Sequence, residues 1–162
     1  MLEKKVSFFT GQGLQLAAIL ETPADMPGGT QRLPGVVLCQ GPGGAKGGVL
    51  IDVAKRLTAA GFVVLYFDYR GFGESQGRQR ILLPLEQVED IRCALTWLGQ
   101  QPEVDTERLG LWGAATGGAH ASYVAGTDNR VKCMVSVSGM GDCGRWFRTM
   151  RPYWQWQELL KS

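Results

Sequence analysis

Four short apolar runs constrain the fold most: GVVLCQ (35–40), FVVLYFD (62–68), LGLWG (109–113) and KCMVSVSG (132–139), each leading into a glycine-rich stretch. They carry few polar residues, so they do not read as strands with one face in water. Runs of this kind are strands buried on both faces, as in a parallel sheet covered by helices. Helical patterns fall between them. In 49–60, Leu50, Val53, Ala54 and Leu57 share a face, and Gly61 follows as a stop. In 84–98, Pro84 suits a first turn and Leu85, Val88, Ile91, Leu95 and Leu98 form a stripe. Alternating strand and helix predicts an α/β domain, mostly parallel, with helices on both faces and right-handed crossovers. At the N-terminus, 4–9 and 14–21 are separated by TGQG and predict an antiparallel hairpin.

Composition narrows the function. With 44% hydrophobic and 20% charged residues, the chain has the makeup of a globular domain. A net charge of +2 gives no electrostatic footprint for nucleic acid or an acidic membrane. No run approaches the roughly 18 apolar residues of a membrane span, and the N-terminus lacks a signal-peptide pattern. The expected location is cytoplasmic, with the four Cys (39, 93, 133, 143) as reduced, buried thiols. With one His, His120, and no Cys cluster, neither a metal site nor a cofactor is expected.

The chemistry concentrates at Gly113-Ala-Ala115-Thr-Gly117-Gly118, between the third run and a helical segment. With serine at 115 this would read G-x-S-x-G-G, the strand-turn-helix elbow that presents a nucleophile. The turn is so tight that residues two before and two after the nucleophile must lack bulk, and Gly113 and Gly117 fill those places. The helix that follows aims its N-terminal N–H groups at the spot where anionic charge develops. GPGGAKGG (41–48) does not meet the phosphate-loop pattern, because Ala45 precedes Lys46 and Gly47 follows it.

Three segments in order, LCQGPGGAKGG (38–48), FDYRGFGESQGR (67–78) and GLWGAATGG (110–118), resemble the α/β-hydrolase superfamily in its serine esterase and peptidase-like branch. The resemblance covers nearly the whole chain. It implies a loop donating to an oxyanion after the first run, a bracing loop holding Asp68 and Glu74 after the second, and the elbow after the third. It implies hydrolysis of an ester or amide through an acyl-enzyme, with acyl transfer or a ligand-binding, non-catalytic member as alternatives. Ala115 stands at the nucleophile position and has no atom that can attack, so the chain as written is expected to be inactive. The intact glycines favour a Ser→Ala change over a natural non-catalytic relative, because a strained turn costs stability unless something requires it. Thr116 N–H is the expected first oxyanion donor. The second would come from Gly41, Pro42 or Gly43; Pro42 has no N–H, so Gly41, Gly43 or a side chain takes that role. Gln40, Met140 and Trp146 are expected to line the substrate pocket.

The resemblance places the acid and the His after the nucleophile. His120 lies within the elbow helix and is expected to be structural. Asp142 follows the fourth run, where a minority of the superfamily has its acid. The chain is therefore expected to hold residues 1–139 of an α/β-hydrolase core, incomplete at its C-terminal end, with 140–162 starting a cap. A second polypeptide, most simply the C-terminal part of the same precursor, would complete the sheet and bring the acid and His, making a heterodimer.

Overall fold

A computed structural model describes residues 1–24, 32–41, 46–142 and 144–145. The chain runs β1 (Leu2–Phe9), β2 (Gln15–Thr22), β3 (Leu33–Cys39), α1 (Val49–Ala59), β4 (Val63–Phe67), α2 (Pro84–Gly99), β5 (Val104–Ala114), α3 (Thr116–Thr127) and β6 (Val131–Val137). The strands form one sheet in the order β1-β2-β4-β3-β5-β6. β1 and β2 pair antiparallel, β2 and β4 antiparallel, and β4, β3, β5 and β6 are mutually parallel neighbours. The four apolar runs thus lie side by side as expected, and the N-terminal hairpin extends them. Its turn is closed by Thr10, whose Oγ1 accepts the N–H groups of Gln12 and Leu14, with Gly13 at φ 79°.

Alternate residues feed opposite faces. Val37, Cys39, Leu65, Phe67, Leu109 and Leu111 join Phe8, Leu16, Ile91, Leu95, Leu98, Ala121 and Val124 in the larger core under α2 and α3. Val36, Leu38, Val64 and Tyr66 pack with Leu50 and Ala54 under α1. Helices on both faces are the reason these strands need no polar alternation. Within the smaller core Glu21 is fully buried, and its carboxylate accepts bonds from Tyr66 Oη (3.0 Å) and Thr58 Oγ1 (3.4 Å).

Several expectations need correction. β5 begins at Val104, not near Leu109, because Leu33 and Pro34 of β3 pair with Val104 and Asp105 ahead of an irregularity. Leu85 is 72% exposed: it sits in the first turn of α2, beyond the edge of the core, and buried Gln87 and Asp90 take part of the inner face instead. Asp90 is held there by Arg70, whose Nε bonds it at 2.8 Å. Of the cysteines, Cys39 is buried, Cys93 half-buried and Cys133 exposed; Cys143 lies outside the described residues. Cys133, Val135 and Val137 pair with Gly110, Trp112 and Ala114 and so share the face that carries α1. That helix does not reach them, and Val135 and Val137 are 51% and 44% exposed. Among the described residues, no helix is long and apolar enough to cross a membrane.

Leu65 is fully buried in the centre of β4, between β2 and β3. Leu65→Ala should lower stability by about 2–5 kcal/mol, read from the urea midpoint at unchanged m-value. A loss under about 1 kcal/mol would show that this core is not closely packed.

Candidate active site

The turn between β5 and α3 is packed closely against backbone. Ala115 is the N-cap of α3 at φ 51°, ψ −119°, a backbone region that L residues rarely occupy. Its N–H donates to Val137 O (3.0 Å), and its carbonyl accepts Ala119 N–H (3.2 Å), tying β6 to the first turn of α3. A Cβ on Gly113 would lie 2.6 Å from Gly117 C and 2.8 Å from Gly118 N. One on Gly117 would overlap the carbonyl oxygens of Cys39 and Gln40, and one on Gly118 would stand 2.5 Å from Ser136 Oγ. The glycines at 113 and 117 are therefore required by contact with backbone that cannot yield. They let the start of α3 rest directly on the end of β3.

That contact brings Gly41 to Ala115: a Cβ on Gly41 would be 3.5 Å from Ala115 Cβ and 3.1 Å from Ala114 O. Thr116, 6% exposed, opens α3, where the first backbone N–H groups have no partner within the helix. The Gly41 N–H donates to Gln40 Oε1 at 3.1 Å, a bond with no signal in the sequence. Pro42, Gly43 and Trp146 lie outside the described residues.

Asp68 directly follows β4 and is 1% exposed. Its Oδ2 accepts the Glu74 N–H (2.9 Å), and its main-chain carbonyl accepts Ser75 Oγ–H (2.6 Å). A Cβ on Gly73 would overlap its carboxylate. Across the site, Lys46 donates its backbone N–H to Asp68 Oδ1 and its Nζ to Asp68 Oδ2 (2.5 Å) and Glu74 Oε2 (2.6 Å). Burial opposes the charge on Lys46, but the bonds to Asp68 and Glu74 outweigh it and raise its pKa. The bracing role expected of Asp68 and Glu74 fits this geometry. Lys46, their partner across 22 residues of chain, was not legible in the sequence.

His120 faces inward on α3, 5% exposed, with its ring edge-on to Tyr69 at 6.2 Å. Its Nδ1 is buried without a hydrogen-bond partner among the described residues. Burial lowers its pKa, and burial pushes the Cys39 thiol up to about 12. Both groups are neutral core. His120, Ser136 and Met140, with Leu85, Val88 and Tyr123, line a cavity of about 480 Å³ between α2, α3 and the end of β6. Ala115 and Gln40 are not among its lining residues, so Met140 and Gln40 do not share this cavity. Asp142 is exposed, and its Oδ1 accepts Arg145 N–H at 2.8 Å.

A mixed, mostly parallel sheet with a glycine-pinched turn after β5 fits an α/β-hydrolase fold, and comparison with known proteins agrees. Residues 13–161 match the X-Pro dipeptidyl-peptidase (S15) family, and the chain belongs to it. An uncharacterized 31.7 kDa protein of Escherichia coli is 42% identical over 72% of this chain and 41% of its own length. Thiohydrolase aneE of Aspergillus aculeatus is 38% identical over 82% of this chain and 40% of its own. Polyketide transferase grgF of a Penicillium species is 33% identical over 85% and 45%. The crystal structure of alpha/beta hydrolase GrgF from Penicillium superposes with a TM-score of 0.81 at 28% identity, covering 93% of this chain and 51% of that one. The chain thus spans about half the length of these relatives.

Two measurements test this geometry. Ala115→Gly should stabilise the chain by about 1 kcal/mol, because glycine adopts φ 51° without the strain alanine carries. A destabilising Ala115→Gly would show the turn to be relaxed. The second measurement is pH-dependent. His120 has a folded-state pKa below 6.5, so as pH falls through that value the unfolded chain takes up a proton before the folded one does. Stability is then lost below about pH 6.5 and continues to fall until the folded pKa is passed. His120→Phe should remove this slope between about pH 7.5 and 5.5, and a slope unchanged in that variant would place the titration elsewhere.

Proposed function

We propose that the chain is the nucleophile-bearing part of an enzyme that cleaves or transfers acyl groups from esters, thioesters or amides, with alanine where serine would attack. The observation that carries this is Ala115 held at φ 51° in a turn pinched by Gly113 and Gly117. Such strain is stored where a side chain must be presented at a site. In the active form a serine at position 115 would attack the carbonyl, Thr116 N–H would meet the developing oxyanion, and a His outside this chain would take the proton. The thiohydrolase and polyketide transferase names of two relatives favour a thioester or polyketide acyl donor. The acid would come from outside this chain, or else from Asp142, whose exposed carboxylate accepts the Arg145 N–H.

In this reading, further polypeptide covers the part of the sheet that the described residues leave exposed, and carries the acid and the His. The uncovered strip of Cys133, Val135 and Val137, together with the outer edge of β6, supports it. An open strand edge and apolar face are a liability to a free domain. Covering each 100 Å² of apolar surface is worth about 2.5 kcal/mol. Residues 140–162 would begin a cap over the site. A ligand-binding role without catalysis is the second reading, favoured by the absence of any nucleophilic atom at 115.

Ala115→Ser, assayed with the completing polypeptide present, should hydrolyse p-nitrophenyl esters and acyl thioesters at least ~10³-fold faster than the alanine form, the order of effect seen when a serine nucleophile is removed. Equal rates for the two forms would favour the binding role.

A further inference from the structure

We infer that Ser138 is a specificity-determining residue of this site, its hydroxyl donating a hydrogen bond to the 3-oxo oxygen of an acyl thioester. This rests on the reading that residue 115 is the nucleophile position and that the acyl donor is of polyketide type. Among the described residues, positive φ outside glycine occurs at Arg80, Ala115 and Ser138. The last two sit side by side. Ala114 pairs with Val137 across β5 and β6, and Ala115 N–H donates to Val137 O at 3.0 Å. Each strand ends there, and the next residue of each, Ala115 and Ser138, stands at φ 51°. Neighbouring strands lie about 4.8 Å apart, so the backbone of Ser138 begins roughly that far from residue 115.

Ser138 is exposed, yet its backbone is fixed on both sides. Val137 before it holds the bond from Ala115. Gly139 after it packs so closely that a Cβ there would overlap Ser136 Oγ, and a Cβ on Gly118 would stand 3.0 Å from Gly139 Cα. Strained residues persist only where their surroundings enforce them, and they gather at sites where a group must be presented. The carboxyl ends of parallel strands are also where open α/β sheets bind ligands. The group presented here is a hydroxyl, one strand over from the attacking position. At that separation it meets a polar atom a few bonds from the scissile carbon. On the leaving side of a thioester the first heteroatom is sulfur, a weak acceptor. On the acyl side of a polyketide chain it is the 3-oxo oxygen, a strong one.

The test uses Ala115→Ser with the completing polypeptide as parent, comparing kcat/KM for the 3-oxobutanoyl and butanoyl thioesters of N-acetylcysteamine. The parent should prefer the 3-oxo substrate. Adding Ser138→Ala should reduce that preference by about 5–10-fold, the loss of one neutral hydrogen bond. Ser138→Gly should reduce it equally while raising the melting temperature by about 2–4 °C, because glycine adopts φ 51° without strain. If Ser138→Ala fails to fold, the glycine variant decides. A preference within twofold of the parent's in the folded variants, a parent with no preference, or a melting temperature not raised in Ser138→Gly would overturn this inference alone. A parent inactive on both thioesters and on p-nitrophenyl esters would overturn the nucleophile assignment and this inference with it.

Discussion

The contact on which the site depends is the one between Gly117 and the carbonyl oxygens of Cys39 and Gln40. It sets the first turn of α3 on the end of β3 with no side chain between them. Cys39 pairs with Gly113 across the sheet, so the two parallel strands end level with each other. Everything nearby follows from that closeness. Residue 115 is driven to positive φ, Gly41 comes within van der Waals reach of it, and α3 starts beside them with first N–H groups that have no partner within the helix. A methyl group at 113 or 117 would meet backbone atoms that cannot move aside. The motif is thus a steric requirement before it is a chemical one, and it persists here although residue 115 carries no attacking atom.

A second layer holds the first in place. Asp68 is the hub: buried at the end of β4, it joins β2 through Ser75 and Ala17, the 71–77 loop through Glu74 N–H, and the β3–α1 connection through Lys46. A carboxylate so buried is tolerated because its oxygens are satisfied by charged and backbone donors. Below it lies a neutral layer of Cys39, Tyr69 and His120, in which burial disfavours charge on each group.

The sequence showed the parts whose cause is local. Apolar runs closed by glycines revealed β3, β4, β5 and β6, and the elbow spacing located residue 115 because Gly113 is crowded by Gly117 and Gly118 close by in the chain, although Gly117 itself answers to distant Cys39 and Gln40. What it hid has distant causes. The polar start of β5 reads as a loop because Val104 and Asp105 are strand only through pairing with β3 far upstream, and Thr106 to Arg108 stand at the irregularity before Leu109. Leu85 fits the apolar stripe of α2 but projects past the sheet, where nothing described covers it. Cys133 reads as core but lies on the face of the edge strand that α1 does not reach. Lys46 resembles a failed phosphate loop until its partners, 22 and 28 residues on, are in view.

The central claim is that residue 115 occupies a nucleophile position, and covalent labelling reads it most directly. Ala115→Ser, with the completing polypeptide, is incubated with a fluorophosphonate and mapped by peptide mass spectrometry beside the alanine form. The expected result is one adduct in the variant, on the serine introduced at position 115, and none in the alanine chain. Labelling at another serine, or none at 115 in a folded variant, would contradict it.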